Sequence, residues 1–488
     1  MPLNIHLNNF QSLEPAMKAF LQKVINARSG STFPWLQAVL MFGLSHFLVF
    51  AFLGTFFWDD YIRGETKTVV ATQAKLAGFP PWREFIEFSI FQNSATFFHI
   101  ATPLCFFVAA IAIHKVLRSG LPLSVFQIDA ITLLFLLLPV NSARVAMIDF
   151  YYSFSYMLFF VAWSLLVSNK RYVQVLALPI FWLSFGASSL LPFFALPLLH
   201  LTYLLWTNKR MLDYRKAFIC LFVAATPLIF WIVRSQTFGA NVREYYVPKP
   251  LGVIRGGLFV AAAISYLVFG IFRRKWNMAN HARPLLIGFG MLALAFGSAA
   301  YMAGGHLVDL SDWIISFVPN FSDWDSRHQM LLPLGFSLII VGALSGPAAD
   351  NGRALKSAGL IAFAVISVIL NFTFSQEYYL DSLKQKEVMN QFSQLDELKT
   401  NSSLMISDEA YRFNARGRVL RSYEWAAMLT KSVPGGKEFT VEPTRFVRCD
   451  EFKPTLILIV IATNGRLESL LTRKLGIQVQ VEKISPCG

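Results

Sequence analysis

Residues 34–61 read PWLQAVLMFGLSHFLVFAFLGTFFWDDY, an apolar run that closes on two adjacent acids. From Pro34 to Phe57 there is no Asp, Glu, Lys or Arg. About 20 such residues cross roughly 30 Å of hydrocarbon as a helix, so this stretch reads as a membrane span. A polar segment of about thirty residues precedes it and no small-residue cleavage site follows, which marks a retained anchor rather than a removable signal peptide. Within that leading segment Phe10, Leu13, Met17, Phe20, Leu21 and Val24 fall at helical spacing, with Ser12 and Pro15 in cap-like places and Lys18, Lys23 and Arg28 interleaved. The pattern suits a helix lying on the membrane surface; a flexible tail is the alternative.

The same apolar character recurs along the chain. The 488 residues are 55% hydrophobic and 15% charged, against about 25% charged in soluble domains. Further runs near 97–117, 121–140, 145–167, 172–187, 190–206, 217–235, 251–272, 285–304, 330–346 and 358–375 bring the expected count to about eleven spans. Only Ser188 and Ser189 separate 172–187 from 190–206, and reading that pair as one broken span would reverse everything after it.

Charge decides the orientation. With the N-terminus inside, the inward loops collect Lys115 and Arg118, Lys170 and Arg171, Lys209, Arg210, Arg215 and Lys216, then Arg273, Arg274, Lys275 and Arg283, then Arg353 and Lys356. Cytoplasmic loops carry such an excess of Lys and Arg. The net charge of +14 is therefore mostly a topological signal, and no basic stripe for nucleic acid is needed. An odd number of spans places the tail outside. The expected class is a membrane all-α protein with a small soluble α/β domain: residues 1–33 cytoplasmic, 34–375 the multi-pass region of a plasma (inner) membrane, and 376–488 periplasmic or extracellular. In that tail a helical pattern runs to about Lys399, β-like runs cover 403–407, 438–442, 455–462 and 477–484, and Asn464 to Leu475 is helix-like. Pro434-Gly435-Gly436 lacks the spacing of a phosphate-cradling loop.

Cys105 and Cys220 sit in apolar runs as small buried hydrophobes, whereas Cys449 and Cys487 share the tail and could pair in an oxidising compartment.

Two places carry chemistry. The first is Trp58-Asp59-Asp60-Tyr61 at the exit of the first span, where adjacent carboxylates raise one another's pKa and suit a base, a metal ligand or a cation partner. A solvated loop start with interfacial aromatics is the plainer reading. The second is the outer loop from Gly305 to Met330, with His306, Asp309, Asp312, Asp323, Asp325, Arg327 and His328. Arg327 directly precedes a span, at a depth where a guanidinium can clamp a phosphate with two hydrogen bonds or simply snorkel. Arg243 and Lys249, flanking Tyr245 and Tyr246, are the better of the remaining outward cations. Asp59, Asp60, Asp323, Asp325, His306 and His328 could hold a divalent cation if the two loops meet, but no HExxH or paired CxxC spacing supports it, and cofactor use stays open. The series Ala293, Gly297, Ala300, Gly304 reads as close helix packing, and Asp129, His46 and His200 carry no assigned role.

The layout resembles the polytopic GT-C superfamily of glycosyltransferases, through an acidic pair after the first helix (Asp59-Asp60), cations in a later outer loop (Arg327, His328) and a soluble outer domain. That resemblance implies an inverting transfer of a sugar from a polyprenyl-phosphate donor to a hydroxyl of a glycan, lipid or protein acceptor. It implies Asp59 as base, Asp60 orienting it or the acceptor, and Arg327 with His328 on the departing phosphate. The tail lacks a WWDYG-like stretch, so transfer of a preassembled oligosaccharide to asparagine is not supported. The alternatives are a flippase for lipid-linked glycans, an O-antigen polymerase or ligase, and a membrane scaffold whose outer domain binds a partner.

Overall fold

The computed structural model describes residues 35–58, 60–63, 85–90, 94–168, 170–207, 223–233, 250–273, 282–303, 329–345, 350–435, 437–443 and 456–483. It is mostly helical, with one small sheet near the C-terminus. The expected surface helix over residues 10–24 lies outside the described residues, as do Cys220, Cys449 and Cys487.

The helices that position the site are α1 (Trp35–His46), α2 (Asp60–Arg63), α3 (Ala95–Arg118), α4 (Val125–Leu137), α5 (Phe150–Leu166), α6 (Arg171–Ser184), α7 (Ala195–Thr207), α8 (Pro250–Arg273), α9 (Ala282–Ala303), α10 (Leu332–Leu344) and α11 (Asp350–Phe392). Three described helical stretches, Ala95–Arg118, Arg283–Ala303 and Ser357–Phe392, are long and apolar enough to cross a membrane by length and composition. Eight shorter apolar helices of 10–17 residues accompany them. Two helices whose flanks are described, Val125–Leu137 and Leu332–Leu344, are shorter than the roughly 20 residues expected of a span. The first apolar run continues from α1 into a 3-10 turn at Phe47–Ala51. The expected runs 172–187 and 190–206 are separated by a turn between Ser184 and Leu190.

Capping fixes the start of α4. The Ser124 hydroxyl accepts the Gln127 amide at 3.3 Å while Gln127 Oε1 accepts the Ser124 amide at 2.9 Å, a reciprocal box. Asp129 is thus one turn inside the helix, 3.2 Å from His114 Nε2 on α3. His200 on α7 accepts a hydrogen bond from the Trp163 indole at 3.2 Å and reaches the Ser119 carbonyl at 3.1 Å. Both polar residues are tied into helix packing. Free Cys105 is buried, as expected.

Close packing of α9 on α10 depends on glycine. A Cβ at Gly290 would lie 2.7 Å from Ile339 Cγ1 and 2.8 Å from the Gly335 carbonyl; one at Gly335 would lie 2.6 Å from Leu294 Cδ2. Ala293 is fully buried in the same seam, and Gly297 faces Leu331; Gly304 lies outside the described residues. Because backbone blocks the space at Gly290, Gly290→Ala should cost about 1–3 kcal/mol through overpacking. Gly257→Ala on α8, where nothing lies within 4 Å, is the control. Thermal unfolding of the two purified variants checks this; equal midpoints would refute it.

Helix α11 runs for 43 residues, roughly 65 Å at 1.5 Å per residue, twice the hydrocarbon thickness. Its first half exposes Phe363, Ile366 and Ile369, while its second half buries Asp381, Ser382, Lys384 and Gln385. The expected 375/376 boundary falls inside this one helix, so the C-terminal domain is joined to the apolar half without a break in the helix.

That domain has four strands, β1 (Ser403–Asp408), β2 (Thr440–Pro443), β3 (Leu456–Ala462) and β4 (Ile477–Lys483), in the order β2-β1-β3-β4. β1 is parallel to β2 and β3, with Leu404 opposite Val441 and Leu456; β4 is antiparallel to β3. Leu404, Ile406, Leu456, Leu458 and Val460 form the buried face. They pack with Val388 and Phe392 of α11 and with Trp425, Met428 and Leu429 of α12 (Ser422–Ser432). Helix α13 (Arg466–Thr472) follows β3.

Candidate functional site

The chain leaves the 3-10 turn after α1 through Phe52, Phe57 and Trp58, which are buried around Tyr378 of α11. Phe57 and Trp58 meet the Tyr378 ring edge-on at 5.1 and 5.5 Å. Packing on this scale holds Trp58 at φ 54, a left-handed conformation that costs a bulky residue of order 1–3 kcal/mol and concentrates at functional sites. The strained turn aims the next residues, and α2 begins at Asp60.

Asp60 is fully buried. The backbone N–H groups of Phe57 and Met147 donate to its Oδ2 at 3.0 and 2.9 Å. One carboxylate oxygen thereby closes its own turn and ties it to the segment between α4 and α5. Two amide donors on one oxygen fix the orientation of the Asp60 side chain. Asp59, the expected base, lies outside the described residues, as do Arg327, His328, Arg243 and Lys249. Among the described residues no group of three His, Cys, Asp or Glu is placed to hold a metal ion; His306, Asp323 and Asp325 are outside them.

The C-terminal domain packs against the turn, and polar residues of both and of α11 are joined by several sets of hydrogen bonds. Tyr61 donates to Gln385 Oε1 at 2.5 Å, Gln385 donates to Asp381 at 3.0 Å, and Asp381 accepts the Ala415 amide at 2.8 Å. Glu377, one turn earlier on α11, accepts from the Arg416 amide and guanidinium, both at 3.2 Å. Two successive amides of the loop after β1 are thus held by two carboxylates of the membrane helix. Lys384 donates to both Asp408 oxygens at 2.6 Å and to Asn414 Oδ1 at 2.7 Å. Thr55 and Ser382 share a hydrogen bond of 2.7 Å.

Cations from this domain reach the turn. Arg418, paired with buried Glu424, lies over the Trp58 ring at 5.7 Å. Arg416 lies over Phe374 at 4.1 Å. Lys431, on α12, places its ammonium 3.5 Å from the Phe56 ring centroid and 5.3 Å from that of Tyr61. Burial of its head group brings the Lys431 pKa down to about 8, with Asp60 opposing the shift. Tyr61 is pushed up by burial and by Asp381, Glu424 and Asp60. The sequence reading missed these cations. One signal was available: Arg412, Arg416, Arg418 and Arg421 occupy ten residues between β1 and α12.

The loop that carries them leaves the carboxyl end of β1, beside the carboxyl end of β3. Open α/β sheets bind ligands at such a switch point. Compared with protein-family models and with curated proteins, the chain has no match.

Proposed function

We propose that the chain is a multi-pass membrane glycosyltransferase of the GT-C kind that moves a sugar from a polyprenyl-phosphate donor to an acceptor hydroxyl at the outer face. In this reading the three long helices and the eight shorter apolar ones together form the eleven spans, and the tail domain is outside. The observation that carries it is the strained Trp58 turn, whose acid Asp60 is buried beneath the cations of the outer domain.

The chemistry follows from pKa values. An acceptor hydroxyl is far too weak an acid to ionise at neutral pH, so a carboxylate within hydrogen-bond reach takes its proton as oxygen attacks the anomeric carbon. Asp59 does this, held by Asp60. The bond from the anomeric carbon to the phosphate oxygen breaks, and the departing phosphate gains negative charge, which fixed cations stabilise. Arg327 and His328, with Arg243 and Lys249, are assigned that task. Attack opposite the leaving group inverts the centre, and the donor arrives dissolved in the membrane.

Asp59→Asn keeps the size and removes the base, so transfer should fall about 10²–10⁴-fold. Cells carrying the variant at normal level should lack one outer-surface sugar modification. Unchanged glycans at normal protein level would reject the assignment.

A further inference from the structure

We propose that Lys431 is a binding cation for the phosphate of a membrane-anchored polyprenyl phosphate, so that the outer domain completes the site beneath it. The ligand class rests on the glycosyltransferase reading; the placement of the cation does not.

Lys431 differs from its neighbours in the domain. Lys384, Arg416 and Arg418 each have a carboxylate at ion-pair distance, in Asp408, Glu377 and Glu424. Among the described residues the Lys431 ammonium has no hydrogen-bond acceptor and no ion pair; what hold it are the faces of Phe56 and Tyr61. Asp60 is near enough to act on it, yet Asp60 Oδ2 is already committed to two backbone amides. An ammonium is a compact point charge whose three donors suit phosphate oxygens. The Lys431 side chain is exposed as a whole while its ammonium is partly desolvated against Phe56 and Tyr61, so a ligand reaches it from the exposed side.

Depth selects a lipid phosphate. The ammonium sits at the exit of the first apolar run, over Phe56. Below it on the same run Phe47 and Phe50 are 45% and 67% exposed, an apolar approach for an isoprenoid chain. Proton affinity gives a second handle. With its pKa brought down to about 8, the free ammonium loses its proton as pH rises through that value, and phosphate binding should weaken between pH 7 and 9. The titratable groups that face it from the turn are Asp60 and Tyr61; Glu424 lies on its own helix.

The test is titration calorimetry on the full chain in neutral detergent, with farnesyl phosphate as probe. Wild type should bind it, Lys431→Gln should bind roughly tenfold more weakly, and Lys431→Arg should bind as wild type without the loss between pH 7 and 9. Farnesol should not bind. Lys431→Gln breaks no ion pair among the described residues, and an unchanged unfolding midpoint shows that it is folded. Wild-type affinity in that folded variant overturns the proposal. So does equal affinity for inorganic phosphate, which needs no membrane anchor, or complete competition by phosphatidylglycerol, which makes the bulk headgroup layer the occupant. Asp59→Asn separates the two readings: it should bind farnesyl phosphate normally while losing transfer. Binding lost in Lys431→Gln alongside normal glycans in Asp59→Asn would sink the enzyme reading and leave the phosphate site standing.

Discussion

Lys384→Met should destabilise the C-terminal domain by about 3–5 kcal/mol, the cost of leaving a buried charge without its partner. The Lys384 and Asp408 side chains are 1% and 5% exposed. Three acceptor oxygens surround the ammonium, from Asp408 and Asn414, and the ring of Trp425 lies 5.7 Å away. Without the lysine, the Asn414 amide at 3.1 Å is the donor that remains to Asp408. Domains of ordinary stability hold only about 5–15 kcal/mol in total, so the loss is a large share. The readouts are thermal unfolding and protease sensitivity of the tail in membranes. Replacing the pair together, Lys384→Met with Asp408→Leu, should recover much of the loss, because a well-packed apolar pair often matches a buried ion pair. A Lys384→Met protein with the wild-type midpoint would contradict the account.

The same pair shows what could be read from the sequence. The strands were legible because short apolar runs such as Leu404 to Ile406 and Leu456 to Val460, too short to cross a bilayer, are bounded by polar residues, and all four lie within a residue or two of the expected runs. Helix α12 was not predicted, although Trp425, Met428 and Leu429 have the spacing of a buried helical face. Its neighbours are arginines and polar residues, and the run is too short to stand out from them. Nor did the sequence reveal that the helix after residue 358 continues unbroken past 375, since the change from apolar to charged composition marks a change of solvent and not a break in hydrogen bonding. The acidic pair was legible as a pair. Which acid is buried was not, because burial of Asp60 depends on an amide 87 residues away, at Met147. The same holds for Lys431, whose contact with Phe56 joins the two ends of the chain.

Asp60 offers the sharper test of how the turn is built. Asp60→Ala removes the acceptor of two buried backbone amides, and an unsatisfied buried donor costs about 1–3 kcal/mol, so the pair of amides at Phe57 and Met147 should cost about 2–6 kcal/mol. The strained Trp58 turn would then lose the bonds that fix it, and the segment at Met147 would separate from it. Asp60→Asn should be milder, because its carbonyl oxygen can still accept from both amides while the charge near Lys431 is gone. The expected order of unfolding midpoints in neutral detergent is wild type, then Asp60→Asn, then Asp60→Ala, with Asp59→Asn at the wild-type value. Transfer should follow a different order: Asp59→Asn is folded and inactive, Asp60→Ala is unstable and inactive, and Asp60→Asn keeps partial activity because its geometry survives. An Asp60→Ala protein as stable as wild type would show that the two amides are not what holds the turn. Full activity in it would remove Asp60 from the site altogether, leaving Asp59 to be positioned by the ring packing of Phe57, Trp58 and Tyr378 alone.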